Sequence, residues 1–441
     1  MTALPAHPPA LPGHPHLHYE AGELWLERVP VHRLTERFGT PLFAYSRASM
    51  LAALSAYQQA FEGREALICY AMKANSSLAI LQTFVEAGCG LDIVSGGELE
   101  RALRVGVDPA KIIFSGVGKT RAEMRQALLA GIGCFNVESV AELDTLHAVA
   151  TELGQVAPIS LRVNPDVDAK THPYISTGLK GNKFGIAHTE ALDVYRHAAQ
   201  LSGLKIHGID CHIGSQITEI PPFLDAMDRI LDLVDLLESD GMHLAHIDFG
   251  GGLGIDYQGD VPPAANILWS ALLNRLDARG HGNKRILIEP GRSLVGNAGI
   301  CLTEVLFEKS GDTKNFLIVD AAMNDLPRPA MYEAYHAIVP TLLREDATRI
   351  YDVVGPVCES GDWLGRDRAL AVRPGEQLAV CSAGAYCMSM ASQYNTRGRA
   401  AEVLVYGENV QLIRERETPS DVMRGERLWS PVTTPGTPSA P

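Results

Sequence analysis

Lys73 lies in Tyr70-Ala-Met-Lys-Ala-Asn75, at the end of the apolar run Ala66–Met72. Burial penalises the charged form of a lysine and lowers its pKa, which makes it a nucleophile or a Schiff-base former. The competing possibility is a lysine that snorkels to the surface or meets a carboxylate. Further chemistry-bearing residues recur at equivalent places. Asp92 stands near the end of Cys89–Val94, and His212 begins His212-Ile-Gly-Ser-Gln216. Gly250, Gly251 and Gly252 follow the run Leu244–Phe249, and Glu289 sits in Ile288-Glu-Pro-Gly-Arg-Ser293. Consecutive glycines let backbone N–H groups approach a phosphate closely, although a glycine run alone is more often a turn. A carboxylate beside a pyridine nitrogen keeps that nitrogen protonated, so the ring becomes an electron sink. Lysine, phosphate cradle and carboxylate together describe a site for pyridoxal 5′-phosphate, PLP.

These residues need a frame that gathers them. Apolar runs of strand length recur at Ala66–Met72, Cys89–Val94, Lys111–Ser115, Ile132–Val137, Pro158–Asn164, Lys205–Ile213, Leu244–Phe249 and Arg285–Pro290. Between them lie stretches of helical period, among them Gly97–Val105, Arg121–Ala130, Val140–Glu152, Thr189–Leu201 and Pro222–Ser239. Strands alternating with helices in this number match a (β/α)8 barrel of the TIM type, whose functional residues gather at the C-terminal strand ends. A doubly wound sheet is the alternative, but it would want its glycine-rich turn after the first strand. Here the richest, Gly250-Gly-Gly-Leu-Gly254, follows the seventh. Beyond residue 296, short alternating runs such as Phe316–Val319, Ile350–Val354, Gln377–Val380 and Glu402–Tyr406 predict a mostly antiparallel β domain. The expected organisation is a disordered leader over 1–18, strands over 19–44 that join the β domain, a barrel over 45–296, the β domain over 297–430 and a frayed tail over 431–441.

The 441 residues suffice for two full cores, and 46% hydrophobic with 20% charged residues is an ordinary globular balance. A net charge of −14 disfavours nucleic-acid and anionic-membrane partners. No apolar stretch reaches a membrane span. None of the 8 cysteines forms a C-x-x-C pair, which predicts free thiols in a cytoplasmic protein. His14, His16 and His18 lack a surrounding Cys or carboxylate frame, so no metal site is expected.

The ordered set of motifs resembles the fold-type III PLP decarboxylases, the alanine-racemase-like barrel enzymes, from about Pro41 to Gly407. The motifs are Pro41-Leu-Phe-Ala-Tyr45, Tyr70–Asn75, His212–Gln216, Asp248-Phe-Gly-Gly-Gly-Leu-Gly254, Glu289–Ser293, Asp320–Tyr332, Cys358-Glu-Ser-Gly-Asp362 and Gly384-Ala-Tyr386. Within that family the chain is most similar to the enzymes that convert meso-diaminopimelate to L-lysine and carbon dioxide. The resemblance implies that Lys73 carries the cofactor and that Asp92 helps to bind it. It implies that His212 stacks on the ring and that Glu289 pairs with its nitrogen. Ser215, Gly250, Gly251, Gly252, Gly291, Arg292 and Tyr386 would hold the cofactor. Arg292, Arg328, Tyr332 and Tyr386 would meet the substrate. Cys358 and Glu359 would come from the neighbouring subunit of a homodimer with shared active sites, Cys358 as a catalytic group and Glu359 toward the distal amine. Two positions depart from the family's usual pattern, Ala322 in Asp320-Ala-Ala-Met-Asn324 and Pro327 before Arg328.

Related decarboxylases acting on ornithine, arginine, carboxynorspermidine or a siderophore precursor are the nearest rivals. A basic distal end needs an acidic pocket, whereas diaminopimelate presents a carboxylate that suits arginine and tyrosine. A non-catalytic barrel protein would be expected to lack Lys73, the glycines or Glu289, and all are present.

Overall fold

The computed structural model describes residues 11–13, 15–168 and 182–429. Eight parallel strands close into a barrel: β1 (Ala66–Ala71), β2 (Gly90–Ile93), β3 (Ile112–Phe114), β4 (Cys134–Val137), β5 (Ala157–Asn164), β6 (Leu204–Asp210), β7 (His246–Asp248) and β8 (Arg285–Ile288). Pairing runs in sequence, with β8 against β1 and β4 against β5 completing the circle. The strands are almost continuously buried because helices cover their outer faces while side chains fill the lumen.

The helices begin and end where local chemistry directs. Ser95, Thr120 and Ser139 accept the N–H groups of Glu98, Glu123 and Glu142, capping the helices Gly96–Arg104, Arg121–Ala130 and Val140–Leu153. Gly131 and Gly154 close the last two in the left-handed conformation. These caps start the three helices within a few residues of the ends of β2, β3 and β4.

Residues Leu42–Ser46 and the strands between Gly299 and Arg414 build a second sheet, mostly antiparallel. Its long central strand Gly299–Ser310 pairs with Leu42–Ser46, Asn315–Val319 and Gln377–Val380. Two pairings are parallel, Leu42–Ser46 with Ala401–Tyr406 and Asn315–Val319 with Arg349–Val354. The expected leader over 1–18 needs correction, because Leu17–Glu20 is a strand. It forms a separate three-stranded sheet with Glu23–Leu26 and Val29–Pro30, so only Leu42–Ser46 of the early strands enters the large sheet. Residues 1–10, and the tail expected over 431–441, lie outside the described residues. Among the described residues no helix is long and apolar enough to cross a membrane.

Candidate active site

The barrel rim brings the charged residues of separate strands together. Lys73, just beyond β1, donates from Nζ to Asp92 Oδ2 of β2 at 2.7 Å. Its pKa is not lowered, contrary to the expectation from burial alone. Burial does pull it down, but Asp92, Glu289 and Tyr386 outweigh that and raise it above the usual lysine range. Lysine and carboxylate therefore stand as an ion pair, and the other oxygen of Asp92 is buried without a hydrogen-bond partner.

His212 follows β6, and its Nδ1 accepts the N–H of Gly251 at 3.2 Å. Burial, with Arg162 and Lys73, holds this imidazole well below its usual pKa, so the ring is neutral and its Nδ1 can accept the glycine loop's amide. The glycines pack backbone on backbone. A Cβ on Gly251 would come within 2.3 Å of the Glu289 carbonyl, and one on Gly252 within 2.6 Å of the Gly214 carbonyl. Gly250 and Gly252 also hold positive φ. The N–H of Gly250 is taken by Asp248 Oδ1 at 2.8 Å. The loops after β6 and β7 are tied by the Ile217–Leu253 bridge and by Gln216, whose amide bonds both backbone groups of Ile255.

Glu289, one residue beyond β8, is buried. Its Oε1 accepts from Ser115 Oγ at 3.2 Å and from Asn136 Nδ2 at 3.1 Å. Burial first, then Asp92, Asp248 and Asp210, raises its pKa well above the usual carboxylate range. Gly291 follows and leads into a single helical turn, Arg292–Val295. A Cβ there would lie 3.1 Å from the Ala71 carbonyl, so the turn sits directly on β1.

Arg292 is buried and donates to Ser215 Oγ at 2.9 Å and to the Tyr257 hydroxyl at 2.7 Å. Its guanidinium lies 4.7 Å from the centre of the Tyr386 ring. Arg328 begins the short helix Arg328–Tyr332 of the β domain. It donates to His336 Nε2 at 2.8 Å and stacks 4.7 Å from the centre of the Tyr257 ring. His336 Nδ1 in turn donates to the Cys381 carbonyl at 2.8 Å, which fixes the tautomer. Burial and Arg328 keep His336 well below its usual pKa. Pro327 adopts a helical conformation just ahead of Arg328, and Ala322 is fully buried with its N–H on Asp325 Oδ2. The two departures from the family pattern are thus accommodated with Arg328 turned inward. Tyr332 lies one turn further along the same helix.

Tyr257 and His336 join the two arginines, and sequence reasoning missed both. Tyr257 sits in a Gly/Asp-rich turn and His336 after a five-residue helix, so neither carries a periodic or motif signal. Asp210, Arg162 and Asn136, which line the barrel around Glu289, were also passed over.

Cys358 and Glu359 are not brought to this rim. They occupy an exposed loop between Arg349–Val354 and Trp363–Leu370. The Cys358 N–H donates to Asn395 Oδ1 at 3.1 Å, and Tyr394 donates its hydroxyl to Glu359. All eight cysteines are free thiols, and only Cys358 is exposed.

The assembled residues fit a phosphorylated pyridine aldehyde. A lysine, a buried neutral histidine, a buried carboxylate and a cradle closed to any side chain converge on one rim. The unpartnered oxygen of Asp92 is one more polar atom in that wall.

The comparisons with known proteins agree with this assembly. Residues 47–296 match the family described as "Pyridoxal-dependent decarboxylase, pyridoxal binding domain". The chain is 55% identical over 410 residues to the diaminopimelate decarboxylase of Pseudomonas aeruginosa, covering 93% of this chain and 98% of that one. The crystal structure of diaminopimelate decarboxylase from Helicobacter pylori complexed with L-lysine superposes with a TM-score of 0.86 at 42% identity, covering 89% and 98% of the two chains. That from M. jannaschii in co-complex with L-lysine gives 0.90 at 38%, covering 94% and 98%.

Proposed function

The chain belongs to the diaminopimelate decarboxylases, within the pyridoxal-dependent decarboxylases, and from that premise we propose how its residues remove one carboxylate of meso-diaminopimelate to leave L-lysine. Bound PLP supplies the electron sink for the pair left behind when the carbon–carboxylate bond breaks. Lys73 would hold the cofactor covalently, with Asp92 orienting its Nζ. Ser215, Gly251, Gly252 and Tyr386 would hold the phosphate, and His212 would cover one ring face. Glu289, as the anion, would pair with the ring nitrogen and hold a proton there.

The observation that carries the substrate assignment is the cationic end wall. Arg292 and Arg328 are buried on either side of Tyr257, and among the described residues neither is ion-paired with a carboxylate. Two desolvated guanidinium groups without a counter-charge suit an anionic ligand group and repel an ammonium. The distal carbon of diaminopimelate carries a carboxylate, which Arg328 and Tyr332 would bind, and an amine. We assign Cys358 and Glu359 to the site of the neighbouring subunit in a homodimer, Cys358 returning a proton to the reacting carbon and Glu359 meeting the distal amine. Incubation with meso-diaminopimelate, ornithine and arginine in parallel, followed by product analysis, tests the reading. Lysine should form from the first, with no comparable product from the others. Equal turnover of ornithine would overturn it.

A further inference from the structure

Asp210 and Asp248 end adjacent parallel barrel strands and are register partners, and Asp210 is also the register partner of Arg162 on its other side. Glu289 stands two residues past Leu287, the partner of Asp248, so by the two-residue period of a strand it faces the same lumen. One carboxylate oxygen from each of Asp210, Asp248 and Glu289 lies within 4.8 Å of the other two, and all three side chains are buried. Like charges on directly opposed strand positions are destabilising, and carboxylates this close in a buried site do not all ionise.

The nearby cations are already engaged. Arg162 donates to Glu138 at 3.1 Å, and Lys73 to Asp92 at 2.7 Å. The surrounding thiols of Cys69, Cys134 and Cys211 have their pKa values raised by burial and stay neutral. Meanwhile Asp210 Oδ1 and Asp248 Oδ2 are buried with no hydrogen-bond partner. Two buried acceptors on register-paired residues lack a donor, and a proton on one of the pair makes it a donor.

We propose that Asp210 and Asp248 share one retained proton, and that this neutralised pair is a positioning device for Glu289. The proton belongs to the pair and not to either residue. Burial and then Asp248 raise Asp210 against Arg162, while burial and Asp92 raise Asp248 to about 7 against the Gly250 N–H, a hydrogen bond with Glu289 and Lys73. Two full negative charges beside Glu289 would make it cling to its proton. A neutral carboxyl donating toward it instead leaves Glu289 free to act as the anion against the ring nitrogen. The link to Glu289 rests on the function proposed above; the shared proton does not.

The test uses the full-length, cofactor-loaded chain. Infrared difference spectra between wild type and Asp248→Asn, recorded at neutral pH in H2O and D2O, should show loss of one protonated-acid carbonyl band. Asp210→Asn should lose the same band, and the double variant should lose no more, since one proton is shared. Either single variant suffices should the other fail to fold. Absence of any lost band, loss of two bands in the double variant, or a stoichiometric divalent cation in place of the band would overturn the shared proton. The visible absorbance of the bound cofactor tests the link to Glu289. Asp248→Ala should shift it, and Asp248→Asn, a neutral donor, should restore it. A native spectrum in Asp248→Ala, or no rescue by Asn, would overturn the positioning role. None of these readouts depends on which amino acid is decarboxylated, so a failed substrate assignment would leave them unchanged.

Discussion

Arg328 is held by two neutral partners, the His336 ring nitrogen and the Tyr257 face. Neither quenches its charge, so its remaining donors are available to a ligand carboxylate. Losing a charge-assisted contact from such a desolvated site costs on the order of 2–4 kcal/mol, or about 30- to 1000-fold in specificity constant. Arg328→Met should therefore lower kcat/KM for meso-diaminopimelate within that range while cofactor absorbance stays native. Tyr257→Phe isolates the hydroxyl that receives Arg292 and leaves the ring beneath Arg328. A net hydrogen bond of about 1 kcal/mol predicts a loss of roughly fivefold. Steady-state kinetics of both variants decide the matter, and unchanged diaminopimelate turnover in Arg328→Met would show that the carboxylate is held elsewhere. Lys73 teaches the converse lesson. Its position at a strand end was legible in the sequence, but its protonation was not. The direction of its pKa depends on Asp92, whose side chain meets it only once β1 and β2 pair.

Backbone proximity rules the loops. Gly251→Ala drives a Cβ against the Glu289 carbonyl, a rigid backbone atom, so the loop after β7 must move away from β8. Overpacking of this kind costs about 1–3 kcal/mol, and the variant should retain at least several-fold less cofactor per chain after dialysis, measured by visible absorbance. The segment Asp320–Leu326 makes a second case. Burial raises Asp325 to about 6, against the lowering effects of the Ala322 N–H and Arg397. An acid whose pKa is higher folded than unfolded binds more protons in the folded state. Its stabilising contribution is full below the unfolded pKa, near 4, and is lost as pH rises through about 6. Asp325→Asn abolishes that loss. The melting temperature of the variant relative to wild type should thus rise between pH ~4 and ~7, by the equivalent of at most roughly 3 kcal/mol. A difference that is flat with pH would mean that Asp325 does not titrate there. The barrel elements were legible because short apolar runs alternate with periodic helices, three of which carry a side-chain N-cap. The pairing of Leu42–Ser46 with Ala401–Tyr406 was not, since nothing local joins strands so far apart in sequence.

The proposed meeting of the barrel rim with Cys358 calls for a second chain. Within one chain that loop is pinned to its own domain. Asp362 accepts the N–H groups of Val357 and Met323, each at 2.7 Å, while Asn395 and Tyr394 hold Cys358 and Glu359. Among the described residues, no hydrogen bond or ion pair joins either side chain to the barrel. An exposed thiol on a braced loop suits presentation to a neighbour, and in the proposed two-fold dimer the contact would be reciprocal, each subunit completing the other's site. Lys73→Ala and Cys358→Ala should each be nearly inactive alone. Mixed under conditions that exchange subunits, about half of the dimers would carry one of each chain. Every such heterodimer has one site with both residues intact and one with neither. Activity should therefore return to roughly a quarter of the wild-type value. The comparison must be made with exchange demonstrated independently, for instance by mass spectrometry of differently tagged chains. Exchange without recovered activity would place Lys73 and Cys358 in the same chain's site, and the loop would then have to swing inward by breaking its contacts to Asp362, Tyr394 and Asn395.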